Sequence, residues 1–203
     1  MEDETKMRFD RWAEGYDRNL IVKLFAPNPL LLLDELNLAP DSKILDVGCG
    51  TGTLVLALSR ICREGEAVGI DFSERMIEVA RKKAIDVSNV DFDIGEAGDL
   101  PYEDGYFDFV TCTTAFHHFP EKLKALREME RVLKRGGRLY LLEGITFGFF
   151  EKLFEILGWG HHRFTPEDIR RYFEEAGFSE IYQRELKRTS ALSRSLLTVG
   201  RKV

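Results

Sequence analysis

The stretch Lys43-Ile44-Leu45-Asp46-Val47-Gly48-Cys49-Gly50-Thr51-Gly52 restricts this chain to few folds. An apolar, strand-forming run breaks into alternating glycines and continues as Thr53-Leu54-Val55-Leu56-Ala57-Leu58, which reads as a helix. Strand, tight turn and helix bring backbone N–H groups and the positive end of a helix dipole to one point. Glycine suits that point because it reaches positive φ without strain and, lacking a Cβ, lets a ligand approach the main chain. An ordinary glycine turn would not require an acid at the strand end, yet Asp46 stands there. A second apolar run, Glu66-Ala67-Val68-Gly69-Ile70-Asp71, ends in another acid. It lies about twenty residues past the glycines, where a carboxylate accepts hydrogen bonds from both hydroxyls of a ribose. Thr53 occupies the place of the third glycine in a dinucleotide fingerprint, so the pattern supports a nucleoside rather than a pyrophosphate.

Leu45 to Gly52 resembles the first motif of the class I S-adenosylmethionine-dependent methyltransferases, and Gly69-Ile70-Asp71-Phe72-Ser73 resembles their second. The resemblance implies an α/β, Rossmann-like fold: a mostly parallel seven-stranded sheet with an antiparallel last strand and helices on both faces. It implies S-adenosyl-L-methionine as cofactor, held by Tyr16, Asp46, Gly48, Gly50, Gly52, Asp71, Phe72, Met76, Glu96, Ala97 and Thr113. The segment Phe9-Asp10-Arg11-Trp12-Ala13-Glu14-Gly15-Tyr16-Asp17 resembles the N-terminal lid of small-molecule methyltransferases, notably those that methylate quinone precursors on carbon. In such enzymes the tyrosine reaches the amino-acid end of the cofactor. Without the resemblance, Phe9, Trp12, Ala13 and Tyr16 form the apolar stripe of an amphipathic helix within residues Met7 to Asn19. The loop Gly95-Glu96-Ala97-Gly98-Asp99-Leu100-Pro101-Tyr102 is similar to the family loop whose acid accepts from the adenine amine. Alignment through Leu100-Pro101 favours Glu96, with Asp99 as the alternative. Glu128 to Gly137 resembles the family segment before the fifth strand, so the match covers most of the first 143 residues.

A length of 203 residues fits one domain: residues 1–38 as an N-terminal helical cap, 43–142 as the cofactor-binding core, and 143–203 as a substrate-side segment with the last strands. No apolar run is long enough to span a bilayer, and Met1-Glu2-Asp3-Glu4 is acidic, unlike a signal peptide. Cys49, Cys62 and Cys112 are odd in number and lack metal-ligand spacing, which fits a reducing, cytoplasmic setting and no metal site. A net charge of −6 argues against a phosphate-backbone partner.

Asn28-Pro29 is an N-cap followed by proline, and it opens a leucine-dense helical stretch, Leu30 to Leu38. Ser73 caps a helix through Met76, Ile77, Ala80 and Ala84. Val90–Ile94, Gly105–Thr113 and Arg138–Leu142 read as the third, fourth and fifth strands, with a helix from Pro120 terminated by Gly136-Gly137. This alternation of strand and helix argues a parallel sheet with right-handed crossovers. Thr165-Pro166-Glu167-Asp168 starts a helix running to Gly177, and Ile181–Leu186 and Leu196–Gly200 are antiparallel strands. Phe147, Phe149, Phe150, Phe154, Trp159 and Phe164 crowd the segment between. They read either as a cover for a small apolar or aromatic acceptor, or as plain core, or as a surface joining two copies of the chain.

Methyl transfer from a sulfonium needs in-line positioning and exclusion of water, and a base only where the acceptor must lose a proton. No Ser–His–Asp, Cys–His or paired-carboxylate arrangement is present in the sequence. His117-His118 is the one tempting place for a base; a purely structural role for the pair is the favoured reading, and if either acts as a base His117 is the candidate. As neighbours on an extended segment, the two rings are expected to point to opposite faces. Two other function classes compete with methyl transfer. A nicotinamide-dependent oxidoreductase fails on the missing third glycine and the absent substrate domain; a non-catalytic cofactor-binding module would bind without turnover. The motif expected of amino-directed DNA methyltransferases is absent after the fourth strand, where Thr113-Thr114-Ala115-Phe116 stands.

Overall fold

The computed structural model describes residues 2–18, 27–145, 164–186 and 194–203. Seven strands form one sheet: β1 (Lys43–Val47), β2 (Glu66–Asp71), β3 (Val90–Ile94), β4 (Phe107–Thr113), β5 (Leu133–Ile145), β6 (Ser179–Leu186) and β7 (Arg194–Arg201). Their order is β3-β2-β1-β4-β5-β7-β6. Strands β1 to β5 pair in parallel, and β7 runs antiparallel to both β5 and β6. The chain reverses direction of travel across the sheet at β1, leaving a crevice beyond the carboxyl ends of β1 and β4.

Alternation along the strands sends side chains to two cores. Leu45, Val47, Val110, Cys112, Leu139 and Leu141 meet the helices α4 (Lys122–Val132) and α5 (Pro166–Ala176). Ile44, Ala67, Tyr140, Leu142, Leu197 and Val199 meet α2 (Thr53–Ser59) and α3 (Glu74–Lys83) on the other face. Each fully buried Leu or Ile contributes roughly 1.5–3 kcal/mol. The expected sheet with helices on both faces is what forms.

The element ends differ from expectation where hydrogen bonding overrides residue preference. The amphipathic N-terminal segment is α1 (Glu2–Trp12) followed by a 3₁₀ turn over Ala13–Arg18. Asn28 does accept from Leu30 N–H at 3.1 Å, but the turn it opens, Pro29–Asp34, is 3₁₀ rather than α. Helix α4 starts at Lys122 rather than Pro120 and stops at Val132, ahead of Gly136-Gly137. Leu133 already pairs with Phe107, and Lys134 pairs with Asp108 at 2.7 Å instead of meeting the helix dipole. The last carbonyls of α4, those of Glu130 and Arg131, accept from Lys202 Nζ at 2.9 Å each. A distant lysine therefore does what the helix's own last turn was expected to do. At the start of α5, Thr165 and Asp168 form a reciprocal capping box, and Gly177 ends the helix at φ 98°.

Candidate active site

Parallel pairing puts the carboxyl ends of β1, β2, β3 and β4 along one edge of the sheet, and the site residues expected from the sequence, apart from Tyr16 of the N-terminal segment, lie at or just past those ends. Gly48, Gly50 and Gly52 all have positive φ, of 74°, 53° and 74°. Their surroundings differ. A Cβ on Gly48 would stand 2.4 Å from Ala115 Cβ, and one on Gly52 would stand 2.5 Å from the Phe92 ring. Those two glycines allow close packing of protein on protein. Among the described residues, a Cβ on Gly50 would meet nothing within 4 Å. That space above a left-handed backbone leaves room for a ligand at the main chain, and S-adenosylmethionine fits there on this ground.

Asp71 closes the cradle. Its Oδ2 accepts from Gly50 N–H at 2.9 Å and its Oδ1 from Ser73 N–H at 2.9 Å. The carboxylate thus ties the glycine loop to the end of β2, and each oxygen keeps a second lone pair for a ligand hydroxyl. Burial raises its pKa, while the Ser73 and Gly50 N–H groups oppose that rise. The Ser73 side chain accepts from Met76 N–H at 3.2 Å, and Met76 is 1% exposed in α3. Phe72 is half-buried. Asp46 lies beneath the loop, 1% exposed, accepting from Thr111 Oγ1–H at 2.7 Å. Burial pushes its pKa up to about 7; the Thr111 bond opposes this and Asp71 adds to it.

A raised carboxyl binds its proton more tightly in the folded than in the unfolded chain. The folded state is therefore favoured at low pH and loses that advantage as pH rises from the unfolded value toward about 7. Asp46→Asn should remove the effect. Between about pH 5 and about pH 8 the ligand-free variant should gain on the wild type by roughly 2–3 kcal/mol in urea denaturation. A difference independent of pH would mean that Asp46 is ionised throughout.

The N-terminal segment lies against the glycine loop. Asp17 accepts from Thr51 Oγ1–H at 2.7 Å and pairs with Lys83 Nζ at 2.6 Å, which also donates to the Thr51 carbonyl at 2.8 Å. Burial would raise the Asp17 carboxyl, but the Lys83 and Thr51 bonds outweigh it and hold it below its ordinary value. Asp10 accepts from Ser73 Oγ–H at 2.5 Å. Tyr16 is pushed up to about 12 by burial, with Asp71 and Asp17 adding to the rise. Phe9 gathers an aromatic cluster: its centroid is 6.3 Å from Trp12, 6.4 Å from Tyr16, 6.0 Å from Phe72 and 5.1 Å from His118.

On the loop after β3, Glu96 and Asp99 are exposed, and Ala97 packs against the α4-side core. Arg131 fixes the loop's far end by donating to the carbonyls of Leu100 at 2.9 Å and Tyr102 at 2.7 Å. Tyr102 donates to Asp93 at 2.9 Å.

The region after β4 corrects one expectation. Thr113 ends the strand and Thr114 turns the chain at φ 56°, its N–H donating to the Leu142 carbonyl at 2.9 Å. The next residues, Phe116–His118, form a 3₁₀ turn and not an extended segment. The rings of His117 and His118 are therefore neighbours, 3.9 Å between centroids, rather than on opposite faces. His117 Nδ1 lies 2.9 Å from Glu143 Oε2, a carboxylate that sequence reading missed. The available signal was an acid ending the apolar run Leu139-Tyr140-Leu141-Leu142-Glu143. Among the described residues no cluster of three His, Cys, Asp or Glu is placed to hold a metal, and no helix is long and apolar enough to cross a membrane. The pair His161-His162 and the aromatics from Phe147 to Trp159 lie outside the described residues.

A glycine cradle, an acid closing the second strand and this strand order define an S-adenosylmethionine-dependent methyltransferase. The sequence of residues 45–141 matches the family model described as "Methyltransferase domain". Demethylmenaquinone methyltransferase of Staphylococcus aureus (strain JH9) is 37% identical over 202 aligned positions, covering 85% of this chain and 84% of the relative. The chain belongs to this methyltransferase family. Among solved structures it is similar to a methyltransferase from Aquifex aeolicus (TM-score 0.73, 23% identity, 94% of this chain and 97% of that one). It is also similar to one from Thermotoga maritima (TM-score 0.72, 27% identity, 96% and 98%). The chain is thus an enzyme that uses S-adenosyl-L-methionine, and the oxidoreductase and non-catalytic alternatives fall away.

Proposed function

We propose that the methyl acceptor is a small aromatic molecule of the naphthohydroquinone kind, methylated on a ring carbon. The observation that carries this reading is the 37% identity to a demethylmenaquinone methyltransferase over most of both chains. The aromatic cluster of Phe9, Phe72 and His118 beside the glycine loop supports it, because a planar acceptor stacks and sheds water there. In the same reading the ribose hydroxyls of the cofactor meet Asp71 and its methionine end lies over Gly50 near Tyr16. Glu96 and Ala97 border the adenine, while Gly48, Gly52, Asp46, Phe72, Met76 and Thr113 shape the walls. Residues 1–38 act as a cap on one domain, with the Asp17–Lys83 pair as its fastening. The partner is a small molecule rather than nucleic acid, and the reaction takes place in the cytoplasm without stable membrane insertion.

Labelled S-adenosylmethionine tests the acceptor directly. Incubation with an alkenyl-substituted 1,4-naphthohydroquinone should place label on the ring. If the quinol stays unlabelled while another compound of a metabolite extract gains the label, the acceptor reading is wrong.

A further inference from the structure

We infer that Glu143 positions His117 as the base of the reaction, and hence that the acceptor is one that must give up a proton as it is methylated. This deepens the acceptor reading above and rests on it only for the choice of probe. Three observations converge. Glu143 is 4% exposed at the end of β5, with Oε2 2.9 Å from His117 Nδ1. Its Oε1 is buried and has no hydrogen-bond partner among the described residues. A buried carboxylate left half-satisfied is costly and is retained where chemistry uses it. The His117 side chain is 22% exposed, against 5% for that of Glu143, so the histidine is the more accessible end of the pair.

The placement fits the cradle. Ala115, two residues before His117, is the neighbour that a Cβ on Gly48 would strike, so the histidine turn packs directly on the glycine loop. The left-handed Thr114 and its N–H bond to Leu142 hold this turn to the end of β5, beside Glu143. An ionised Glu143 only accepts, so the hydrogen at Nδ1 belongs to His117. That fixes the tautomer and leaves proton uptake to Nε2. Among the described residues, the partly buried Lys122 of α4 attracts the carboxylate, and the nearby Cys112 thiol of β4 stays neutral because burial keeps it well above its ordinary pKa.

The step balances. A carbon of the acceptor forms the new bond to the methyl group, and the electrons of the broken C–S bond stay on sulfur, which becomes neutral. The proton lost by the acceptor goes to His117 Nε2, and the imidazolium is balanced by Glu143 until it releases that proton to water. An acceptor with an ionisable hydroxyl on an aromatic ring meets this requirement. Its O-methyl ether does not.

Nitrogen NMR of the ligand-free protein with labelled histidine tests the positioning apart from turnover. The chain has four histidines, and His117→Gln assigns the signal. In the neutral ring the wild type should carry its proton on Nδ1, and Glu143→Leu should shift His117 to the commoner Nε2–H form. Glu143→Gln, whose amide oxygen still accepts, should keep the tautomer while removing the charge. Both variants should bind S-adenosylhomocysteine as the wild type does and turn over the naphthohydroquinone about a hundredfold more slowly at unchanged KM. An Nε2–H tautomer in the wild type overturns the inference, whatever the acceptor proves to be. So does a fall in S-adenosylhomocysteine affinity that matches the fall in rate, because Glu143 would then be structural. If the naphthohydroquinone is not an acceptor but the tautomers behave as stated, only the choice of acceptor fails.

Discussion

Gly50→Val should abolish binding of S-adenosylhomocysteine while leaving a folded protein, whereas Gly52→Val should fail to fold stably. Both positions have positive φ, and a side chain there costs roughly 1–2 kcal/mol of backbone strain. The difference lies in the space around them. Among the described residues nothing lies within 4 Å of where a Gly50 Cβ would stand, so in the free protein the expected cost is that strain. The same volume is the cradle, and an isopropyl group there excludes the ligand. Around Gly52, the Phe92 ring at 2.5 Å and Ala80 Cβ at 3.0 Å are already in the way. Overpacking adds roughly 1–3 kcal/mol or more to the strain. Calorimetry and thermal melts of the two variants separate the effects. Normal ligand binding by Gly50→Val would reduce Gly50 to a turn residue and remove the main support for the cradle.

The second large effect is expected at Asp71. Asp71→Ala should weaken S-adenosylhomocysteine at least tenfold and also lower the melting temperature. Each hydrogen bond to the ionised carboxylate contributes roughly 1.5–3 kcal/mol. Two such bonds, from Gly50 and Ser73, exist before any ligand arrives, so the glycine loop loses its tie to β2 along with the ribose acceptor. Asp71→Asn keeps an acceptor for one of the two N–H groups and should be milder in stability than in affinity. A variant that loses stability but binds as the wild type would show that Asp71 shapes the loop only. Tighter binding of a dinucleotide than of S-adenosylhomocysteine would reject the nucleoside reading altogether.

How much of this could be read beforehand follows from the range of the interactions. The glycine loop, Asp71 and the strand–helix alternation are local patterns, and period and turn chemistry reveal such patterns in one dimension. The count of seven strands and the antiparallel last strand came through the family resemblance. What remained hidden depends on residues far apart in the chain. Gly48 packs on Ala115, and that contact decides why a glycine stands there. Glu143 looked like the polar end of a strand until β5 brought it to His117, 26 residues away. The capping of α4 by Lys202 crosses about seventy residues. The two histidines were misplaced for a local reason, since the left-handed turn at Thr114, a residue that rarely adopts it, converts an expected extension into a 3₁₀ turn.

The position of β7 between β5 and β6 has a consequence for the order in which the molecule can be assembled during synthesis. Among the described residues β6 pairs with β7 alone, and β7 is made after it. While translation proceeds, β1 to β5 can already align, but β6 must wait with its backbone unpaired and β5 keeps one open edge. That edge carries Leu141 and Leu142, both fully buried once β7 arrives. The nascent chain thus passes through a stage in which a long apolar strand is a template for any passing extended segment. Insertion of β7 closes two edges in one event, and Lys202, directly behind it, fastens the end of α4 in the same event.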